Sequence, residues 1–208
     1  MPSSTRLENA PGLKAVTIGL VSDTHGFFDS RLRAVLSGSD VILHAGDVGS
    51  ETVIDELRAI APVHAVRGNV DFPDSGLPLS LTASFGGVNI HVLHILPADP
   101  SSLEQWAERV QHTDELPKAA GRLLGAFDSS VEVVVFGHSH SPCLISLGDV
   151  LWVNPGSAGK KRFSLPRTCG RLEIRDHRID ASIIPLEPHA GRLPERIRAE
   201  RKVKAQAF

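Results

Sequence analysis

The chain returns repeatedly to one local order: a short β-branched apolar run, a loop that opens on polar residues, then a stretch with helical spacing. Residues 16–22 end at Asp23-Thr24-His25-Gly26, and 30–37 follow with Leu32, Val35 and Leu36 at helical intervals. Residues 41–44 end at Ala45-Gly46-Asp47, a helix is expected over about 50–60, and a third strand over 63–66. Strands linked through helices run parallel, because a crossover of that length returns the chain to the same end of the sheet. Further on, Gly86-Gly87 between 81–85 and 88–94 signals a hairpin. Ser101 with Glu104 reads as a capping box that opens one helix, and a second is expected over about 117–127. Strands are expected again at 131–136, 144–147 and 150–153, and a hairpin of 171–175 with 178–184 closes the pattern. In that hairpin Leu172, Ile174, Ile179, Ala181 and Ile183 alternate as half-buried strands do. The expected fold is α/β, a layered α/β/β/α sandwich with mixed sheets.

At 208 residues one hydrophobic core suffices, and the expected division is a leader at 1–15, a single domain at 16–187 and a basic tail at 188–208. Lys and Arg number 22 against 24 Asp and Glu, so the whole chain offers no electrostatic case for a polyanion. Aromatic residues make up 5% with no Tyr, which leaves few platforms for stacking bases. Nucleic acid is therefore disfavoured as a partner. The tail differs, with Arg192, Arg196, Arg198, Arg201, Lys202 and Lys204 against Glu195 and Glu200, and it is read as solvated helix or frayed chain. Two cysteines, Cys143 and Cys169, do not make a disulfide framework, and no apolar run reaches membrane-spanning length. The first residues lack the basic-then-apolar order of a secretion signal, so cytoplasmic residence without membrane attachment is expected.

The chemistry sits directly after the strands. Asp23 and His25 follow the first, Asp47 the second and Asn69 the third; His94 ends the hairpin strand, and His138 and His140 follow 131–136. Open α/β sheets bind ligands outside the carboxyl ends of their strands, so these seven side chains are expected to converge. Residues two apart share a side of an extended backbone, which would let Asp23 with His25, and His138 with His140, face one crevice. Carboxylate, imidazole and amide donors without cysteine suit Mn²⁺, Fe, Zn²⁺ or Co²⁺. Gly26, Gly46, Gly68 and Gly137 adjoin these positions and are expected to serve tight turns. His44 precedes Asp47 and is placed behind it; Arg67, beside Gly68-Asn69 and Asp71, is read as either a substrate contact or a stabiliser of the loop, and Ser157 reads as a turn residue because no Ser-His-Asp pattern surrounds it.

The ordered set Asp-Thr-His-Gly, Gly-Asp-Val, Arg-Gly-Asn-Val-Asp, Gly-His-Ser-His and Asn154-Pro155-Gly156-Ser157 closely resembles the calcineurin-like metallophosphoesterase superfamily over about 16–184, and within it the small bacterial and archaeal phosphodiesterases. The resemblance implies that Asp23, His25 and His140 bind one divalent cation, that Asn69, His94 and His138 bind a second, and that Asp47 bridges them. Mn²⁺ is the first expectation, with Fe, Zn²⁺, Ni²⁺ or Co²⁺ as alternatives. Asp47, Asn69 and His94 are the expected catalytic residues, and the implied reaction is hydrolysis of a small phosphate ester, most of all a phosphodiester, by metal-bound hydroxide. His94 departs from the family pattern, since Ile95 replaces the usual glycine, and His91 is its rival. Val70 stands where many superfamily members carry a histidine that serves the leaving group, so His91 or Asp71 is considered as proton donor. The same fold also serves as a protein-binding scaffold in a retromer subunit, and a nuclease or phosphomonoesterase is a further alternative. A homo-oligomer remains compatible with the sequence. The segment 97–127 is expected to form a helical flap beside the site, with a surface excursion or dimer contact as the alternatives.

Overall fold

The computed structural model describes residues 15–161, 165–176 and 178–187, together with the backbone of 198–202. The expected leader and most of the basic tail lie outside the described residues, as does His177.

Eleven strands form two sheets among the described residues. One has six strands in the order β11-β10-β9-β1-β2-β3, the other five in the order β4-β5-β6-β8-β7. In the first, β1 (Val16–Val21), β2 (Val41–His44) and β3 (Val63–Ala65) are parallel, as their helical crossovers α1 (Arg31–Val35) and α2 (Glu51–Arg58) require. In the second, β5 (Val88–Leu93), β6 (Val133–Val135) and β8 (Val150–Asn154) are parallel, while β4 (Ser80–Phe85) and β7 (Cys143–Leu147) run antiparallel at the edges. The hairpin β9 (Thr168–Arg175) and β10 (Arg178–Pro185) joins the first sheet beside β1.

Burial follows side-chain alternation. Ile18 and Leu20 of β1 and Val41 and Leu43 of β2 point between the sheets, where they meet Ile90, Val92 and their neighbours in a shared core. Val21 and Ile42 point the other way, under α1 and α2, into a second cluster with Leu32 and Leu57. A third cluster lies outside the other sheet, where Leu103 of α3 (Pro100–Thr113) and Leu123 of α4 (Lys118–Leu124) cover Val134 and Trp152. The layers are therefore α/β/β/α, as expected. Strands β1, β2 and β6 are buried on both faces, which explains their continuous apolar character.

Four local expectations change. The cap of α3 is Asp99, whose carboxylate accepts from the Ser101 amide at 2.9 Å; Pro100 opens the helix, so Ser101 lies inside the first turn and no Ser101–Glu104 box forms. The segment 97–127 is not a flap. Trp106, Ala107 and Val110 pack on the third cluster, and only the two ends, at Pro97 and at Ala126 and Phe127, line the cleft beside the site. The backbone of Arg198–Lys202 forms β11, antiparallel to β10, where helix or frayed chain was expected. Helix α2 is shorter at both ends than expected, with the Ser50 hydroxyl accepting from the Thr52 amide.

Candidate metal centre

The strands that carry the seven residues end at the same edge of the sandwich but belong to both sheets, so the crevice lies where the two sheets meet. Hydrogen bonds extend the β1–β2 ladder into their loops: the amides of Asp23, His25 and Gly26 donate to the carbonyls of Gly46, Asp47 and Val48 at 3.0, 2.9 and 2.7 Å. On the other sheet the Gly137 amide donates to the His94 carbonyl at 3.0 Å. Hydrogen bonds also tie the halves together. His94 Nδ1 lies 2.8 Å from the Ala45 carbonyl, and the His138 amide donates to Asp23 Oδ2 at 3.2 Å.

The loops turn in an unusual way. Asp23, His25, Asp47, His138 and His140 all have positive φ, between 48° and 69°. Left-handed backbone costs a non-glycine residue about 1–2 kcal/mol, and such strain concentrates at functional sites. The expected reasoning from extended backbone therefore fails, although the side chains still reach the crevice. The role expected of the neighbouring glycines also divides. Gly26 and Gly46 have positive φ, whereas Gly68 and Gly137 do not; they are required by space. A Cβ on Gly68 would lie 2.0 Å from Asp47 Oδ1, and one on Gly137 would lie 2.1 Å from Ser22 Oγ.

Ligand-type atoms gather in two groups, Asp23 with His25 and His140, and Asp23 with Asp47 and His94. In the first, the Nε2 atoms of His25 and His140 lie 3.2 Å apart, and His140 Nε2 lies 3.2 Å from Asp23 Oδ1. That carboxylate oxygen is buried, yet the contact lacks hydrogen-bond geometry and no other described residue donates to it. Its sister Oδ2 is held by Ser22 Oγ at 2.5 Å. In the second group, Asp47 Oδ1 is 3.3 Å from His94 Nε2, and Asn69 Oδ1 lies 3.0 Å from the same nitrogen. Since the Ala45 carbonyl only accepts, His94 donates through Nδ1, and its neutral Nε2 turns a lone pair toward two oxygens. A cation placed between them would make that arrangement favourable, so the residues present fit divalent metal. Asp47 stands between the groups, because its Oδ2 is 3.8 Å from His25 Nε2.

Electrostatics follow from these contacts. Burial alone would raise the Asp47 carboxyl, but the His94 contact, the Val70 amide and the His94 and His25 rings outweigh it and hold it at about 2. Burial pulls His94 down, and the Asp47 contact, the Ala45 carbonyl and the nearby carboxylates reverse it, leaving a net rise.

Six of the seven predicted residues, Asp23, His25, Asp47, Asn69, His94 and His140, thus gather at one place. His138 stands apart from the two close groups: its ring packs edge-on to His94 at 5.3 Å between centroids, and its amide serves Asp23. His94 is buried and central, and neither it nor Ile95 has positive φ, so the missing glycine costs nothing in the backbone. His91 points elsewhere, with Nδ1 2.7 Å from Thr82 Oγ1. Asp71 accepts from the Val48, Gly49 and Gly68 amides at 3.1, 2.8 and 2.8 Å, which makes it a loop anchor and removes it as proton donor. Arg67 donates to the Pro73 carbonyl at 3.2 Å, steadying the same loop.

Supporting residues escaped full sequence reading. Asn154 donates to the Gly137 carbonyl at 3.0 Å and to Ser139 Oγ at 3.1 Å, so it holds the His138–His140 loop, while Ser157 donates to the Asp23 carbonyl at 2.9 Å. Thr24, between two candidate ligands, donates to the Val48 carbonyl and meets the buried His44 Nε2 at 2.9 Å. The Asn-Pro-Gly-Ser motif was the available signal for the first pair, and the Asp-Thr-His-Gly motif for Thr24.

A sandwich of this topology with an Asp- and His-rich edge defines a metallophosphoesterase-type fold and site. Residues 16–177 match the model of the calcineurin-like phosphoesterase superfamily domain, and the chain belongs to that family. It is 32% identical over 176 residues to a probable metallophosphoesterase of Methanocaldococcus jannaschii, covering 82% of this chain and 81% of that one. The phosphoesterase Yfce of E. coli shares the fold with a TM-score of 0.59 at 20% identity, covering 91% and 100%. So does Vps29 of Entamoeba histolytica, solved with Zn²⁺, with a TM-score of 0.61 at 19% identity, covering 90% and 99%. Among the described residues no helix is long and apolar enough to cross a membrane.

Proposed function

We propose that the chain is a phosphoesterase that works with two divalent cations, Mn²⁺ first among them, and hydrolyses phosphodiester bonds of a small substrate. The observation that carries this reading is the Asp47 carboxylate, with Oδ1 beside His94 and Oδ2 toward His25, between two convergent ligand groups. Asp23, His25 and His140 would hold one cation; His94, Asn69 and, after a small movement, His138 the other; Asp47 would touch both. Cations so placed neutralise phosphoryl oxygens and lower the pKa of water.

The chain's own residues then set the preference. Two carboxylates against two divalent charges and one hydroxide leave a formal +1, suited to a monoanionic diester. At the Asn69 loop Val70 exposes an apolar side chain and offers only its amide, which donates to Asp47 Oδ1 at 3.0 Å. With Asp71 committed as an acceptor, no acid on this loop serves the departing oxygen, so stable leaving groups are favoured. Fold alone does not separate an enzyme from a scaffold. The full ligand set supports the enzyme.

The test is metal content together with kcat/KM for bis(p-nitrophenyl) phosphate against p-nitrophenyl phosphate at neutral pH with saturating Mn²⁺. A diester preference is expected. A monoester preference overturns the substrate assignment, and absence of turnover with any divalent metal favours the scaffold.

A further inference from the structure

Five large hydrophobic side chains stand exposed among the described residues, and four of them, Val70, Phe72, Leu79 and Ile95, lie on the two loops that carry Asn69 and His94. Leu79 is 67% exposed and Phe72 78%, an exposure that no folding requirement explains. Scattered exposed hydrophobics need no explanation, but a cluster beside a site does.

A cleft of about 860 Å³ begins at this rim. Asn69 and His94 line its inner end; it then passes Leu79 and Ile95 and runs along the outer face of β4 and β5 to Phe127. That volume lies within the range of organic-ligand pockets and far exceeds what a phosphate group needs. The far wall carries His91 and Phe127, whose rings meet edge-on at 5.2 Å between centroids, and the buried Trp152 backs Phe127 from behind at 5.5 Å. Burial lowers the basicity of His91, so the ring presents a neutral surface there. Arg67 is the single cation among the described lining residues, and it already serves the Pro73 carbonyl. The cleft therefore lacks the charge to hold a second phosphate or a nucleic-acid backbone. Its walls suit an apolar or aromatic group.

We propose that this cleft, continuous with the candidate metal centre, is a subsite for the organic arm of the substrate, and that it selects phosphate esters whose arm is aromatic or bulky and apolar. The proposal rests on the phosphoesterase reading for its phosphoryl end, while the arm contacts are testable by binding alone.

Two probes share one charge and one leaving group, p-nitrophenyl phenylphosphonate and p-nitrophenyl methylphosphonate; the carbon–phosphorus bond keeps the arm in place. With the Mn²⁺-loaded full chain, kcat/KM is expected to be at least tenfold higher for the phenyl compound. Calorimetric titration with phenylphosphonate and methylphosphonate should show tighter binding of the phenyl form by a similar factor. In Leu79→Ser and Ile95→Ser, at two partly solvent-facing positions, both ratios should fall at least threefold. Equal kcat/KM for the two arms, or ratios that ignore both substitutions, overturns the subsite while leaving the phosphoesterase reading intact. If neither compound turns over, the catalytic reading fails and the titration decides: a phenyl preference lost in the variants upholds the subsite, and equal affinity overturns it. Self-association that is lost in Leu79→Ser without any arm preference assigns the rim to a second copy of the chain and also overturns the proposal.

Discussion

His44 links the core of the site to acid stability. Its ring is completely buried, and Nε2 lies 2.9 Å from Thr24 Oγ1, whose proton goes to the Val48 carbonyl at 3.0 Å. Nε2 must therefore carry the hydrogen, and Nδ1 is left with no hydrogen-bond partner among the described residues. Protonation would place a charged N–H against apolar surroundings. Burial is accordingly the main cause that drives the pKa from 6.5 to about 4, against the pull of Asp23, Asp71 and Asp47 and with a small push from His94. Because the folded pKa is depressed, the stability it confers is fully present above about pH 6.5 and is lost as the pH falls through 4. A shift of that size corresponds to about 2 kcal/mol lost by pH 5 and about 3 kcal/mol by pH 4. Urea unfolding of chelator-treated wild type and His44→Gln between pH 8 and 4 isolates the effect, since the other ionisable groups are common to both. Wild type is expected to lose about 3 kcal/mol more than the variant, whatever the fixed cost of the substitution. Parallel stability curves would refute the buried neutral imidazole.

Asp47→Asn removes one of the two carboxylates facing both ligand groups, so metal content and hydrolysis should fall together by at least a hundredfold in turnover; a variant with wild-type metal occupancy and rate would exclude the bridging role. Gly68→Ala places a Cβ 2.0 Å from Asp47 Oδ1 and 2.2 Å from its amide, so about 2 kcal/mol of stability should be lost along with metal affinity. Gly121→Ala, where the nearest atom is 3.8 Å away within α4, should instead gain about 0.5–1 kcal/mol by urea unfolding. Val70→His should raise the monoester-to-diester ratio of kcat/KM, and an unchanged ratio would remove the missing acid as the cause of diester preference.

The strands were legible because β-branched runs such as 41–44 and 133–135 are buried on both faces, and a doubly buried parallel strand has little room for polar residues. The site was legible because its donors sit directly after those strands, in motifs whose order matches a known family. The cap of α3 was not. Asp99-Pro100 and Ser101-x-x-Glu104 are both good helix starts, and the ring at Pro100 decides between them by fitting the first helical position. Strand β11 was hidden because its charged, polar composition resembles a solvated tail, and pairing along an edge depends on the backbone more than on side chains. The cleft was invisible for another reason. Leu79, Ile95 and Phe127 come from separate segments, and each alone reads as ordinary apolar sequence.

Backbone strain at the candidate ligands points to what sets the site's geometry. Five of the seven residues sit at positive φ, in turns tied down by the surrounding hydrogen bonds. At about 1–2 kcal/mol each, the strain approaches the whole net stability of an ordinary domain. It persists because it is distributed over loops fixed at both ends: the turn after β1 by the carbonyls after β2, the turn after β6 by Asn154, and the two halves by His94 on Ala45. A side chain in left-handed backbone projects at an angle that an extended loop cannot give, and this lets donors from both sheets face one point. The nitrogen and oxygen atoms brought together there lie 3.0–3.3 Å apart. Folding energy from the three apolar clusters thus maintains the strained turns, and a cation held by these donors would meet most of them already in position, with little ordering left to oppose it.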